Sequence, residues 1–417
     1  PDNGDYSLSF DGVDNYVEID NNFYLDNSFT ISAKVSITNL NIEQEIISKW
    51  QNNDTKAWRL YISDGKIKWE GYGDNHNEQL YNFDADIPTE QLSDSYISII
   101  KDDNSWSIAI NSNIISSINI NGEVFNSVDK VTIGKRMLGS ANYLNGIINE
   151  LIISNNVLDG TSSIIENDNL LAYYKFNAGS GTTLYDHSGN GNHGTINGAT
   201  WQYEISLNEG ANLISFMSLP EDNTIGNVFE SIEEVIIGVI GAGEAASYLP
   251  PWVGSLSHIN AESGYWVKVS EDIDFSVTSE NLSDPDMEYD LVSGANLISY
   301  PSGYSEDINT AIPNPDGFTG IIGEGVAAST NPVLGWIGSL TGFEPNHGYW
   351  FKVSDSINFT YQYDTNDELS RKLLSSNDKD FNQSTEQAFY FIEDIENIEL
   401  GDIVSAYCND SKVGSRV

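Results

Sequence analysis

The amino-acid sequence predicts an all-β protein made of several domains. Short segments rich in β-branched and aromatic residues alternate apolar and polar side chains, which is the pattern of half-buried strands. Clusters of Asn, Asp and Gly separate these segments, and few stretches show helical periodicity. A set of phrases also recurs at a fixed offset in the second half of the chain, which indicates tandem modules.

The strand segments are clearest in the first part of the chain. Alternating runs occupy residues 6–10, 16–19, 29–35, 58–62, 66–69, 96–100 and 105–110. Asp64-Gly65 and Asn121-Gly122 are predicted as two-residue hairpin turns, because such pairs accept the positive φ angles that these turns need. Helical turns are predicted at 161–167 and 224–231, and a short turn at 91–95. Many short strands with regular turns are typical of a sandwich or jelly roll.

Three phrases in the second half recur 84 residues apart. Gly-Ala-Asn-Leu-Ile-Ser begins at Gly210 and again at Gly294, and a Trp-x-Gly-Ser-Leu phrase and a Gly-Tyr-Trp phrase follow in both copies. We therefore predict two small β-modules at 204–283 and 284–362. Tandem modules are typical of extended surface proteins rather than of enzymes with one pocket. Equivalent aromatic residues in the copies predict a repeated core, with a repeated ligand groove as the alternative.

Composition narrows the classes of partner. The 417 residues carry 62 acidic and 18 basic side chains, a formal charge of −44 and a pI near 4.1. Such a surface repels nucleic acid and anionic membranes, and no apolar run is long enough to predict membrane insertion. The carboxylates suit either solubility in salty water or the binding of calcium, which prefers oxygen ligands. Cys408 is the only cysteine, so no intramolecular disulfide is expected.

Residues 1–203 contain phrases that resemble a known domain family. Ser-Leu-Ser-Phe-Asp-Gly from Ser7, Gly-Ile-Ile-Asn-Glu-Leu from Gly146 and Leu-Ala-Tyr-Tyr-Lys-Phe from Leu171 are similar to hallmarks of laminin-G-like, concanavalin-A-like lectin/glucanase domains. The resemblance implies a jelly-roll sandwich and a role in glycan binding or adhesion. The two repeats resemble small β-modules of marine bacterial secreted proteins and viral structural proteins. Residues 363–384 are predicted as a polar linker, and 385–417 as the start of a further β-module.

The resemblance also implies a structural calcium ion held by loop oxygens. The matching positions in this chain are Asp11, Asp14, Asn149 and Glu150. The loop from Asp186 to Gly194, including Asn190, is a second candidate, because oxygen-bearing residues alternate there with glycines. A plain turn without metal is the alternative for this loop. Five scattered histidines give no pattern for zinc.

Glycan binding needs exposed aromatic rings beside polar groups. Trp50 and Tyr72 lie near the ends of strand segments, with Asp74 and Asn75 close by, so these four are the predicted ligand-binding residues. Trp58 and Trp69 fall within alternating strands and are predicted to lie in the core.

Motifs for catalysis are missing from the sequence. Glu18-Ile-Asp20 begins the Glu-x-Asp-x-x-Glu pattern of related glycosidases, but Phe23 stands where the third acid belongs. We therefore predict a non-catalytic extracellular, cell-surface or virion-surface protein. Its first domain is expected to bind glycans or cell-surface polysaccharide, and copies of the chain are expected to pair in a fibre or surface assembly. A purely structural fibre or capsid subunit and an accessory region of a secreted glycoside-active enzyme are the alternatives. The chain is expected to be a mature or trimmed piece of a longer protein.

Overall fold

A computed structural model describes residues 4–20, 24–51, 55–73, 79–137, 142–158, 169–363, 404–408 and 411–416. Nearly all regular structure in these residues is β, which confirms the predicted fold class. The chain forms two compact units. The first consists of Pro1–Ser206, Ser218–Asn223 and Asp274–Leu282, and the second of Leu207–Met217, Thr224–Ile273 and Ser283–Val417. The module boundaries given above stay predictions.

Sixteen strands precede the repeats. In chain order they are β1 (Ser7–Asp11), β2 (Tyr16–Ile19), β3 (Phe29–Ile37), β4 (Gln44–Lys49), β5 (Trp58–Ser63), β6 (Lys66–Tyr72), β7 (Gln79–Asp86), β8 (Leu92–Asp102), β9 (Ser105–Ile110), β10 (Asn113–Asn119), β11 (Val131–Ile133), β12 (Asn145–Ser154), β13 (Leu170–Tyr174), β14 (Thr183–Leu184), β15 (Gly194–Asn197) and β16 (Thr200–Leu207).

The remaining strands show the repetition directly. The first copy contributes β17 (Gly210–Ile214), β18 (Ser218–Leu219), β19 (Ile236–Ile240), β20 (Ala245–Tyr248), β21 (Trp252–Gly254), β22 (Tyr265–Val269), β23 (Ile273–Ser279) and β24 (Asn281–Leu282). The second contributes β25 (Tyr289–Leu291), β26 (Gly294–Ser299), β27 (Glu306–Asp307), β28 (Phe318–Ile322), β29 (Ala327–Asn331), β30 (Gly335–Gly338), β31 (Gly342–Phe343), β32 (Gly348–Val353) and β33 (Ile357–Phe359). Near the C-terminus, β34 (Val404–Cys408) pairs with β35 (Ser411–Arg416). Short helices are α1 (Ile225–Val228), a 3-10 turn (Glu230–Ile232) and α2 (Ile308–Ala311).

The first unit is a sandwich of two sheets. The first sheet has the order β10-β9-β8-β3-β12-β1-β16-β23, with β13 beside β12, and the second has the order β14-β15-β2-β11-β4-β5-β6-β7. Aromatic rings fill the space between them: Phe29 and Trp106 of the first sheet lie 5.8 and 6.0 Å from the ring of Trp69 in the second. Trp58 stacks on Trp69 at 5.8 Å, and both are fully buried, as their alternation predicts.

The turn predictions had mixed outcomes. Asp64-Gly65 joins β5 to β6 with φ angles of 56° and 72°, which confirms that hairpin. The hairpin at Asn121-Gly122 is wrong, because the chain leaves β10 there and next forms β11 in the other sheet. The turn at 91–95 is also wrong: Leu92 is buried and begins β8 opposite Ile37. The helical turn within 224–231 is confirmed by α1, whereas 161–167 lies outside the described residues.

Each repeat forms the same five-stranded sheet in the second unit. The orders are β17-β22-β19-β20-β21 and β26-β32-β28-β29-β30. The Trp-x-Gly-Ser-Leu phrase forms the edge strand, where a side chain on Gly254 or Gly338 would lie 2.1 or 2.2 Å from a carbonyl oxygen of the neighbouring strand. Only glycine fits at these positions, so this part of the repeated phrase is explained by backbone packing.

The two repeats also bridge each other reciprocally. Ile214 of the first copy forms a β-bridge with His347 of the second, and the equivalent residues Ser263 and Ile298 form the matching bridge. Each copy therefore makes the same backbone contact with the other. As a result, residues from both copies lie within one compact unit.

Glycine permits this close approach. A side chain on Gly264 would meet the Cα of Gly348 at 3.1 Å, and one on Gly348 would meet the Cα of Gly264 at 3.0 Å and the carbonyl oxygen of Ile214 at 2.7 Å. The glycine that opens each Gly-Tyr-Trp phrase is therefore required by contact between the copies.

We expect Gly348→Ala to destabilise the second unit by roughly 1–3 kcal/mol, because its methyl group would overlap backbone atoms that cannot move independently. Chemical denaturation of the full chain measures this. Gly226→Ala is the matched control, because its added methyl group would approach only Trp252, at 3.8 Å. Equal stability of both variants and the wild type would contradict the proposed role of the glycine contact.

Candidate functional site

The candidate site lies on the outer face of the second sheet in the first unit. Along β5, Trp58, Leu60 and Ile62 point into the sandwich, so the intervening Arg59 and Tyr61 point away from it. Both are nevertheless 7% exposed. Charged side chains on an outward face are usually solvated, so their burial marks this face as unusual.

Arg59 is the centre of an ion-pair cluster, which we call the Arg59 cluster and define as Glu43, Glu45, Arg59, Glu70 and Arg136. The Nε and Nη2 atoms of Arg59 bind Oε2 of Glu70 at 2.8 and 2.7 Å. Its Nη1 binds Oε1 of Glu43 at 2.8 Å and Oε1 of Glu45 at 3.4 Å. Arg136 reaches the same Glu43 oxygen at 3.5 Å. Each nitrogen of the guanidinium therefore contacts a carboxylate.

Two buried polar atoms of the Arg59 cluster have no hydrogen-bond partner among the described residues. They are Oε2 of Glu45 and Nε of Arg136. The Glu45 side chain is 0% exposed, whereas the Glu43 side chain is 36% exposed. A buried group without a partner costs free energy, so these atoms mark a place where a buried water molecule would be stabilised.

Glu43 and Glu45 differ in protonation. Burial raises the pKa of Glu45 to about 8 despite the positive charge of Arg59. Burial also opposes ionisation of Glu43, but hydrogen bonds and charge from Arg59 outweigh it and lower the pKa of that carboxyl. The distances agree with this division, because Arg59 lies closer to Glu43 than to Glu45. At neutral pH the cluster therefore holds a neutral Glu45 and an ionised Glu43.

Aromatic rings border the Arg59 cluster. The guanidinium of Arg59 lies 3.8 Å from the ring centre of Tyr61 and 5.3 Å from that of Trp50. Trp50 and Tyr72 meet edge to face at 5.2 Å, and the ammonium of Lys56 lies 4.3 Å from the Tyr72 ring. These contacts combine cation–π attraction with cover for the charged groups.

The structure brings together two of the four predicted ligand-binding residues. Trp50 and Tyr72 are in contact beside Arg59, but they are 6% and 7% exposed, so little of either ring faces solvent. Asp74 and Asn75 lie outside the described residues. Sequence reasoning missed the Arg59 cluster. The available signal was an Arg within an apolar strand, together with the closely spaced acids of Glu43-Gln-Glu45.

The predicted calcium ligands of β1 and β12 do not converge. Asp11 pairs with Asn145, and Asn149 lies four residues further along the same strand, which corresponds to about 13 Å. Asp11 accepts hydrogen bonds from the amides of Val13 and Asp14, so it organises its own turn. Burial opposes ionisation of Asp11, but the hydrogen bonds from Val13, Asp14 and Asn15 together outweigh it and lower the pKa of this carboxyl.

Asn149 and Glu150, the two predicted ligands on β12, contact other partners in the first unit, although Oδ1 of Asn149 is buried with no hydrogen-bond partner among the described residues. The amide of Asn149 donates to Asp94 at 3.2 Å, and the carboxylate of Glu150 accepts a hydrogen bond from Tyr96.

The loop after Asp186 is held by protein donors. The Asp186 carboxylate accepts hydrogen bonds from the amides of Tyr173, Ser188 and Asn192 and from the Ser188 hydroxyl, each at 2.9 Å. The Asn190 amide nitrogen donates to the carbonyl of Leu170 at 2.6 Å. Four donors use the lone pairs that an ion would need, so the contacts fit a protein-stabilised turn better than calcium. Calcium binding stays a prediction, which melting with and without a chelator would test.

Within the described residues, no group of three His, Cys, Asp or Glu side chains is arranged to hold a metal ion. No helix of the described residues has the length and apolar character needed to cross a membrane.

Comparison with known proteins identifies the family resemblance of the first unit. Residues 11–162 match the family described as the concanavalin A-like lectin/glucanases superfamily, which confirms the resemblance inferred from the sequence. No curated protein matches the chain.

Solved structures with a similar fold share little sequence with this chain. A candidate carbohydrate-binding protein from Bacteroides ovatus is 15% identical with a TM-score of 0.38, and the match covers 48% of this chain and 60% of that one. A heptameric SAP-like pentraxin from Limulus polyphemus is 15% identical with a TM-score of 0.31, over 39% and 84%. The CBM40 of the Ruminococcus gnavus IT-sialidase, bound to α2,6-sialyllactose, is 16% identical with a TM-score of 0.29, over 36% and 93%. At these values, the three likenesses carry no argument about the ligand of this chain.

The raised pKa of Glu45 leads to a prediction for stability. An acid whose folded pKa lies above its unfolded value stabilises the fold fully below the unfolded pKa, and this contribution is lost as the pH rises through the folded pKa. Glu45→Gln cannot lose a proton. The variant should therefore match the wild type near pH 4.5 and gain on it by at most about 1.4 kcal/mol per pH unit up to about pH 8.

Denaturant unfolding between pH 4.5 and pH 8.5 measures this difference. Glu43→Gln is the matched control. Because the pKa of Glu43 is lowered, that variant should lose stability relative to the wild type at neutral pH rather than gain it. If Glu45→Gln is the less stable protein at pH 8, then Glu45 is a charged partner of Arg59 and the assignment is wrong.

Proposed function

We propose that this chain is a non-catalytic, modular surface protein whose first unit binds carbohydrate at the Arg59 cluster. The family match of residues 11–162 supports a sugar-binding fold. The observation that carries the proposal is the outer sheet face itself, where the partly exposed carboxylate of Glu43 lies beside the guanidinium of Arg136, the amide of Asn142 and the Trp50–Tyr72 pair.

The chemistry of this face suits sugar hydroxyls. The partly exposed carboxylate of Glu43 can accept hydrogen bonds from a sugar, and the guanidinium of Arg136 and the amide of Asn142, which both contact this carboxylate, can donate them. Adjacent donors and acceptors on rigid strands can bind two neighbouring hydroxyl groups of one sugar ring. Trp50 and Tyr72 limit the face on one side, so the ring would bind over Glu43 and Arg136 rather than over the aromatic pair.

The same geometry argues against glycoside hydrolysis at this face. Neighbouring carboxyl groups with pKa values moved apart are what an acid–base pair requires. However, Glu45 is 0% exposed, so its proton cannot reach a glycosidic oxygen without unfolding of the cover around it. The role in binding therefore fits better than a role in catalysis, and an accessory region of a larger enzyme would use the face in the same way.

The repeats fit the role of a support at an extracellular, cell or virion surface. They form one compact unit with reciprocal bridges between the copies, so they would serve as a compact support. The strongly acidic composition would keep such a protein soluble in salty water.

A glycan array with the full chain tests the proposal, followed by titration of the best ligand. Glu43→Gln and Arg136→Gln should each weaken binding about tenfold or more, because each removes a charged hydrogen-bonding group from the site. Lys34→Gln is the matched control, because it removes one charge from a strand of the other sheet. Absence of any bound glycan with a folded sample, or equal affinity of all variants, would overturn the proposal.

A further inference from the structure

The outward face of each repeat carries a tryptophan followed by a lysine. Along β22, Tyr265 and Val267 are buried, whereas Trp266 is half-buried and Lys268 is exposed. β32 repeats this pattern with Trp350 and Lys352. Of the two repeated aromatics, the tyrosine is core, as expected, but the tryptophan points outward. Neither indole takes part in a ring contact with another described residue.

The outward face is retained between the copies while the core beneath it changes. Three buried positions differ: Ile236, Val239 and Val267 are replaced by Phe318, Ile321 and Phe351. Most outward positions are the same, namely Ala211 and Ala295, Ala245 and Ala327, Ser247 and Ser329, Trp266 and Trp350, and Lys268 and Lys352, whereas Val253 on the edge strand is replaced by Ile337. Exposed substitutions usually cost little stability, so folding alone does not account for this retention.

The two lysines are also the only basic residues of the repeats. Residues 204–361 contain 23 acidic residues, and Lys268 and Lys352 are the only Lys or Arg among them. Both lysines are exposed, and no carboxylate of the described residues lies within ion-pair distance of either. A lone cation kept at the same place in two acidic modules is suited to an anionic group that comes from outside the chain.

Contact between the copies explains only part of the face. Gly264 and Gly348 meet at the bridge, and Leu213 and Leu297 are buried. The other side of the face lies outside the described bridges. Ile240, which lies there in the first copy, is 55% exposed. The tryptophan of each copy therefore lies between a buried leucine and an open apolar surface.

We propose that each repeat binds one acidic sugar residue of a polysaccharide. The sugar ring stacks on Trp266 or Trp350, and its carboxylate or sulfate group pairs with Lys268 or Lys352. The tryptophan and the lysine are two residues apart on the same face of one strand, so they lie about 7 Å from each other. This distance spans one pyranose ring and its acidic substituent. This site is separate from the Arg59 cluster and does not depend on it.

The surroundings favour a sugar over a peptide. β22 is paired on both sides by β17 and β19, and β32 by β26 and β28, so neither offers a free backbone edge to an extended peptide. The small side chains Ala211, Ala245 and Ser247 leave the face flat beside Trp266. A flat face with one ring and one charge matches a planar, charged sugar better than a chain of varied side chains.

The two sites belong to one compact unit, so a polysaccharide with repeated acidic groups can occupy both. Binding of the second site is then intramolecular, and loss of both lysines should weaken binding by more than either single loss.

Binding of the full chain to immobilised polygalacturonate, dextran sulfate, neutral dextran and poly-glutamate tests the proposal, in 0.3 M NaCl to screen the net charge. We expect binding to at least one acidic polysaccharide and none to dextran. Lys268→Gln and Lys352→Gln should each weaken it about tenfold, and the double variant more than 100-fold. A comparison of the affinities for polygalacturonate and dextran sulfate distinguishes recognition of carboxylate from recognition of sulfate.

Lys34→Gln removes the same charge from the first unit and should bind acidic polysaccharide like the wild type. Glu43→Gln changes the Arg59 cluster, so its effect on binding shows whether that cluster contributes. Thermal melting confirms that each variant is folded. The proposal is overturned if the wild type binds neither acidic polysaccharide, or if the double variant binds as well as the wild type. Equal binding of poly-glutamate also overturns it, because the partner would then be an acidic protein.

Discussion

The burial of a guanidinium on the outer face of a sheet is the constraint on which the first unit depends. A buried charge without partners would cost several kcal/mol, so Arg59 requires the carboxylates of Glu43 and Glu70 at hydrogen-bond distance. Once these two acids take its donors, Glu45 is left with a longer contact and one unpaired oxygen, and it stays neutral. The protonation of the face, its aromatic cover and its polar groups open to a ligand therefore follow from one ion-pair arrangement.

The alternation of side chains was sufficient to predict that Trp58 and Trp69 lie in the core. Trp58 and Trp69 lie where a period of two places them. The Arg59 cluster could not be found in the same way, because alternation treats every polar position as solvated. Here the outward side chains cover one another, with Arg59 packed on Tyr61, and such cover depends on neighbouring strands that are distant in sequence. Asn121-Gly122 failed for a related reason, because turn chemistry does not reveal when a chain changes sheets.

The repeated phrases predicted the modules, but each phrase proved to combine residues with different roles. In Gly-Tyr-Trp the glycine serves contact between the copies, the tyrosine fills the core and the tryptophan faces outward. Repetition within one chain shows that a residue was kept, whereas the structure shows whether packing is a sufficient reason. Lys268 and Lys352 stand out only when both kinds of information are combined with the scarcity of cations around them.

The reciprocal bridge has a consequence for how many repeats can join in this way. Each copy gives the other the contact that it receives, so the pairing is isologous, and isologous pairing closes after two members. A further copy would find the bridging strands and the Gly264–Gly348 crossing already occupied. Repeats of this kind therefore associate as closed pairs. A longer array would grow by adding such pairs through some other surface, rather than by extending one continuous stack.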